Sequence, residues 1–276
     1  MVNYRGQKAT PARGTRPHQT SSAGKAPELA SQARFLLHHL LQTHQRTLYG
    51  APDRFSTSSL RRVWDRRRWG ALGEYVWFSR RIPGWMRGEE AVALAQACYG
   101  LPENAVVVEI GSFLGCSTVL LAGARKLRQS GKVHCVDPFD ASGDSYSVPV
   151  YSEIAASRPI SLRARFEENI RLADLTEWVE VHQGHDGEIA PGWNTPIDLL
   201  FMDGDQSDRG AEETYQRWST HLKIGGILAV HNSGPRVEYA PDHGGSKRLV
   251  ENFIRLPRYS EIRLVASLTF ARKMPA

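Results

Sequence analysis

From residue 105 onward the chain alternates short apolar runs with stretches of helical periodicity. Ala105 to Ile110 (AVVVEI) is a continuous apolar run of strand length, and Ser117 to Leu127 repeats apolar positions at helical spacing. Lys132 to Val136 predicts a second strand, Leu162 to Leu172 a helix, and Val179 to His182 a third strand. Ile197 to Met202 (IDLLFM) predicts another buried strand, followed by a helix over Ala211 to Leu222. After the Gly225-Gly226 turn come a strand at Ile227 to Val230, a helix at Lys247 to Phe253, and one or two final strands within Ile262 to Phe270. Strands apolar on both faces and alternating with helices give an α/β architecture, a mostly parallel sheet covered on each side.

Upstream the pattern is helical. A helix is predicted from near Pro27, with Leu29, Ala33, Leu36, Leu37, Leu40 and Leu41 at its periodic positions. His38 and His39 on it point about 100° apart and so do not form a ligand pair. A Trp- and Arg-rich stretch, Arg61 to Trp85, leads to a second helix over Glu89 to Tyr99, stopped by Gly100 and Pro102. Residues 1 to 27 are rich in Gly, Pro, Ser, Thr and Arg and lack apolar periodicity, so a disordered basic tail is expected. The chain thus divides into a tail at 1–27, an N-terminal helical layer at 28–100 and an α/β domain at 101–276.

Composition narrows the classes. Hydrophobic residues make up 41% and charged residues 23% of the 276, the balance of a globular chain with one sizeable domain. No apolar run approaches the roughly 18 residues of a membrane span, so no membrane partner is expected. Cys98, Cys116 and Cys135 lack metal-type spacing and sit in apolar segments, the pattern of buried free thiols in a reducing, cytoplasmic setting. The net charge of +6 is concentrated in the tail and in Arg61 to Trp69 (RRVWDRRRW), which holds five arginines. The remainder is nearly balanced, which disfavours a nucleic-acid track.

Four segments carry chemistry. Glu109-Ile-Gly111-Ser-Phe-Leu-Gly115-Cys-Ser117-Thr118 follows the first strand and opens a helix; its glycines permit a tight turn, and the helix start offers free N–H groups. The GxxxG spacing differs from the GxGxxG of nicotinamide binding. Asp137 ends the second strand about 20 residues further on, where a Rossmann-type site holds ribose hydroxyls. Asp203, in Asp203-Gly-Asp205, ends the IDLLFM strand, and His231 and Asn232 end the next one. Polar groups at adjacent strand ends can coordinate a hard cation or deprotonate an acceptor.

Together these segments resemble the class I methyltransferases. The resemblance is greatest to the small-molecule O-methyltransferases with the pattern ExGxxxGxS, then DGDHS, then GGxxxxHD. The corresponding runs are Glu109 to Ser117, Asp203 to Ser207 (DGDQS) and Gly225 to Asn232 (GGILAVHN), supported by Pro83-Gly84-Trp85-Met86 and Phe166 to Ile170 (FEENI). The likeness spans about residues 82 to 270. It implies a Rossmann-like seven-stranded, mostly parallel sheet with an antiparallel last strand. It also implies S-adenosylmethionine as cofactor. Glu109, Gly111, Ser112, Phe113, Gly115 and Ser117 would surround its methionine part, Asp137 and Pro138 its ribose, and His182 to His185 its adenine, with Asp203 also beside the cofactor. Metal-dependent relatives bind Mg²⁺ at the positions of Asp203, His231 and Asn232. Here His231 replaces a carboxylate and Gln206 replaces the histidine of DGDHS. Because magnesium prefers oxygen ligands, the substitution favours His231 as a general base, oriented by Asp203, over a metal held by Asp203 and Asn232.

The segment Ala141 to Ser161 is read as a long loop above the site, and Tyr146, Tyr151 and His243 as acceptor contacts beside His231. The expected activity is methyl transfer to a hydroxyl of a small molecule, a sugar or a secondary metabolite. The competing readings are an RNA or protein methyltransferase that holds phosphates with Arg61 to Arg68, and a non-catalytic Rossmann-like binding protein. The sequence leaves room for a homo-oligomer.

Overall fold

A computed structural model describes residues 58–235 and 243–275. The tail at 1–27 and the helix expected from Pro27 lie outside the described residues.

Three helices come first: α1 (Ser59–Trp69), α2 (Leu72–Ser79) and α3 (Gly88–Tyr99). The order continues β1 (Val106–Ile110), α4 (Cys116–Arg128), β2 (Lys132–Asp137), α5 (Val148–Ala156), α6 (Leu162–Leu172), β3 (Val179–Gln183) and the one-turn α7 (Asp186–Ile189). Then come β4 (Ile197–Met202), α8 (Asp208–Trp218), β5 (Leu222–Val230), α9 (Gly245–Phe253), β6 (Tyr259–Val265) and β7 (Leu268–Lys273). All seven strands form one sheet in the order β3-β2-β1-β4-β5-β7-β6. β1 to β5 pair in parallel, and β7 runs antiparallel to both its neighbours. This is the expected seven-stranded Rossmann-like sheet with a reversed last strand.

The central strands are buried on both faces, which is why they read as unbroken apolar runs. One face carries Val107, Leu199, Phe201 and Ala229 against α2, α3 and α4; the other carries Val108, Ile110, Leu200 and Met202 against Tyr215, Trp218 and Leu249. The three cysteines are free and buried, as expected. Arg125 is fully buried yet satisfied, its guanidinium donating to the carbonyls of Cys98, Pro102 and Ser130.

Helices α2 and α4 approach closely at Gly123, where a Cβ would lie 2.2 Å from Cγ of the Tyr75 ring. Alanine gains helix propensity of roughly 1 kcal/mol there, but overpacking costs about 1–3 kcal/mol. Gly123→Ala is therefore expected to lower the chemical-denaturation midpoint. An unchanged or raised midpoint would contradict this contact.

Three sequence expectations change. The helix expected over Ala211 to Leu222 runs over Asp208–Trp218 instead, because the Ser207 hydroxyl accepts from the Gly210 N–H and caps its start. Leu222 already belongs to β5, which continues through the Gly225-Gly226 pair rather than beginning after it. The supposed loop Ala141 to Ser161 contains α5, with Pro149 in its first turn, where the missing N–H costs nothing.

The arginine-rich stretch is tied into the protein. Fully buried Asp65 on α1 accepts from Arg61 and from Arg80, while Arg62 pairs with Glu74 at 2.6 Å. Arg61 and Arg68 stack on Trp64, and Arg62 and Arg81 stack on Trp77. Among the described residues no helix is long and apolar enough to cross a membrane.

Candidate active site

Strand register assembles the site. Val136, Ile110, Met202 and Val230 form one rung across β2, β1, β4 and β5. The next residue on each strand is Asp137, Gly111, Asp203 and His231, so four separated motifs meet at the carboxyl edge of the sheet. Backbone bonds continue the rung: Gly111 N–H donates to Val136, Asp203 N–H to Ile110 and His231 N–H to Met202. Gly111 has φ +87°, and a Cβ on it would lie 2.4 Å from the Asp203 carbonyl. Only glycine fits both the backbone angle and the space.

Glu109 is fully buried on the α4 side of β1. Its Oε2 accepts from Ser112 at 2.8 Å and from Thr118 at 2.5 Å, while Oε1 has no hydrogen-bond partner among the described residues. Burial pushes its carboxyl up to about 7, and the neighbouring hydroxyls draw it only partly back. A buried carboxylate oxygen without a donor, beside the glycine turn, suits a cationic or N–H-bearing ligand. Asp137 accepts from the Phe113 N–H at 2.8 Å on one oxygen and from the Phe139 N–H at 2.7 Å on the other. Each oxygen keeps a second lone pair, as a ribose diol requires. Burial raises this carboxyl against those two bonds. Ser117 is buried on the first turn of α4, and the Pro138 carbonyl accepts from Gln183 at 3.2 Å. His185, at the carboxyl end of β3, is half exposed and lies 3.6 Å from Asp140.

His231 is 1% exposed and sits between two carboxylates. Its Nδ1 lies 2.8 Å from Asp203 Oδ1, and its Nε2 lies 3.6 Å from Glu90 Oε1 on α3. Burial alone would lower its pKa, but Asp203 and Glu90 together raise it to about 10. Glu90 is correspondingly held below its ordinary range: burial pushes it up, and His231 with the Ser267 hydroxyl and N–H overcome that. Clamped between two carboxylates, His231 is held toward its protonated form, which weighs against the general-base role expected of it and favours a positive charge that holds Asp203.

The same arrangement does not fit magnesium. Gln206 donates to the same Asp203 Oδ1 at 3.0 Å, His231 already supplies the neighbouring positive charge, and the Asn232 amide lies 3.5 Å from His243 Nε2. A hard cation takes oxygen ligands and would have to displace an imidazolium here.

Of the expected acceptor residues, Tyr146 and His243 are in contact, and Tyr151 lies in an aromatic cluster of its own. His243 Nδ1 lies 3.1 Å from Asp144 Oδ1, and its ring packs on Tyr146 at 4.9 Å. Asp144 is 4% exposed and also accepts from the Ser147 hydroxyl at 2.9 Å. Burial pushes Asp144 up, but His243 and Ser147 bring it below its ordinary range. Tyr151 on α5 forms an aromatic cluster with Phe113 at 4.9 Å and Trp85 at 5.5 Å. Burial raises the Tyr151 phenol, and Asp203, Asp144 and Asp137 all add to that rise, which puts it within the field of the three carboxylates.

Sequence reading missed Glu90 and Asp144. Glu90 looks like any acid in a helix first turn, and Asp144 like one polar residue in a Ser-rich stretch. Gln206 was noted only for what it replaces, though its position three residues after Asp203 signals the contact it makes.

Residues 108–233, from β1 to just past β5, match a family model described as a methyltransferase domain. Over these residues the chain is similar to methyltransferase domains, and its sheet order is that of a Rossmann-like methyltransferase fold. Among solved structures, similarity extends to the O-methyltransferase TomG from Streptomyces achromogenes, involved in tomaymycin synthesis and crystallised with SAM. It is 17% identical over 81% of this chain and 99% of that one, with a TM-score of 0.52. The SAH-bound methyltransferase PaMTH1 from Podospora anserina is 14% identical over 77% and 93%, with a TM-score of 0.52. An O-methyltransferase from Bacillus cereus in complex with SAH is 16% identical over 74% and 90%, with a TM-score of 0.50. At these identities the likeness is one of fold.

Proposed function

We propose that the protein transfers a methyl group from S-adenosylmethionine to a hydroxyl of a small molecule, with His243 as general base. The observation that carries this reading is the Asp144–His243 pair lying beside Asn232, one residue beyond the His231–Asp203 pair. Asp144 accepts the Nδ1 proton and fixes the tautomer, so the Nε2 lone pair faces the Asn232 amide side of the site. When bound, S-adenosylmethionine supplies a sulfonium methyl already activated for displacement. Glu109 and the Gly111–Gly115 turn would hold its methionine end, Asp137 its ribose, and the loop ending at His185 its adenine. Trp85, Phe113 and Tyr151 provide an aromatic wall suited to orienting a flat or ring-shaped acceptor. His243 Nε2 takes the hydroxyl proton, and Asp144 stabilises the resulting imidazolium. Asp203, oriented by His231 and Gln206, receives the acceptor through Oδ2, which takes neither of those bonds. The pairing of the α1 arginines with acids and tryptophans leaves the RNA reading with less support.

Calorimetric titration with S-adenosylhomocysteine tests the cofactor half of the reading. Saturable binding, weakened at least tenfold in Asp137→Ala, is expected for loss of a charge-assisted hydrogen-bond pair. Failure of the parent chain to bind would overturn the assignment and return the scaffold reading.

A further inference from the structure

We propose that His134, Glu180 and His182 form a site for a divalent transition-metal ion, zinc being the ion that their donor set suits. The site lies on the β2–β3 side of the sheet and shares with the methyl-transfer reading only His182, the first residue of the run assigned to the adenine.

Parallel pairing of β2 and β3 places His134 opposite Glu180 and Val136 opposite His182. Glu180 and His182 are two residues apart on one strand, so all three side chains leave the same face of the sheet. His134 Nδ1 lies 3.1 Å from His182 Nε2. Glu180 brings Oε2 to 3.8 Å from His134 and Oε1 to 3.6 Å from His182. A tetrahedral zinc bound at about 2.0–2.1 Å holds its ligand atoms about 3.3 Å apart. The carboxylate offers a different oxygen to each histidine, and one ligand atom from each residue lies within 4.8 Å of the others, so side-chain adjustments close the site.

The surroundings favour metal over a plain histidine pair. Trp193 packs edge-on against both rings, 5.1 Å from His134 and 5.6 Å from His182, and so fixes their orientation. The histidine side chains are mostly covered, at 17% and 25% exposed, whereas that of Glu180 is 51% exposed. Solvent therefore reaches the carboxylate side, where water completes the coordination. Two imidazoles and one carboxylate suit zinc, whereas magnesium and calcium select all-oxygen sets. β3 is an edge strand paired only with β2, and Asp137 lies opposite Gln183, one residue beyond His182. An ion here would pin that edge directly below the ribose acid.

Equilibrium dialysis of the tag-free, chelator-treated full chain against zinc chloride tests the proposal, and cobalt(II) supplies a visible spectrum. The expected result is one tightly bound ion per chain, a tetrahedral cobalt band, and a thermal midpoint that rises with zinc. His134→Gln and His182→Gln should each weaken this binding at least tenfold and abolish the cobalt band, and His134→Gln, outside the run assigned to the cofactor, should retain S-adenosylhomocysteine binding. Other histidines can take zinc weakly, so the difference between parent and variants is the readout. If the histidine variants fold poorly, half-exposed Glu180→Gln carries the test through a smaller loss of affinity. No tight zinc binding by the parent, or the same stoichiometry and affinity in every variant, would overturn the site.

Discussion

Chemical denaturation of His231→Ala is expected to show a loss of about 3–5 kcal/mol at pH 7, the usual result of removing one partner from a buried ion pair. The imidazolium is the charge that allows Glu90 to be buried at the α3 face and that holds Asp203 at the sheet edge. Without it, Glu90 keeps the Ser267 hydroxyl and N–H and a long bond from the Arg87 N–H, none of them a charge. The pH dependence gives an independent check. In the fold His231 stays protonated up to about 10, compared with 6.5 ordinarily. Its stabilising contribution is therefore complete below pH 6.5 and is lost as pH rises through about 10. The parent chain should lose stability over that window, and the variant should have a flatter profile. A denaturation midpoint at pH 7 that did not move on substitution would show that the clamp contributes nothing.

His243→Ala is expected to reduce methyl-transfer turnover by about 10²–10⁴-fold, the usual contribution of a positioned general base. Cofactor affinity should be unchanged, since Glu109 and Asp137 lie on the other strands. The pH–rate profile should change shape when the side chain is removed. Asp144→Asn should keep much of the shape around Ser147 but lose the charge that stabilises the imidazolium, giving a smaller fall in turnover. The assay follows labelled methyl transfer to hydroxylated acceptors. Full turnover and an unshifted profile in His243→Ala would remove His243 from the mechanism. Loss of turnover in His231→Ala alone, with an intact fold, would restore the first reading of that residue.

The two histidines show why a motif located the site but did not assign its roles. The GGILAVHN run placed His231 at a strand end, and a strand-end histidine reads naturally as a base. What holds it toward the cationic form is Asp203 together with Glu90, and Glu90 comes from α3, 141 residues earlier in the chain. Likewise, nothing local marks Asp144 as the partner of His243. The stretch that holds it is rich in Ser and Gly, and only Val150 of α5 is buried, so no apolar stripe revealed the helix.

The sequence by itself determined the layered α/β fold, the reversed last strand implied by family likeness, and the four polar strand ends. Apolar run length, helical period and glycine spacing are local signals, and strand register turns them into one edge. The tertiary structure alone decided which carboxylate faces which imidazole: Glu90 and Asp203 on His231, Asp144 on His243, Glu180 beside His134 and His182. Protonation depends on burial and on the nearest charges, and those neighbours come from helices and loops far apart in the chain.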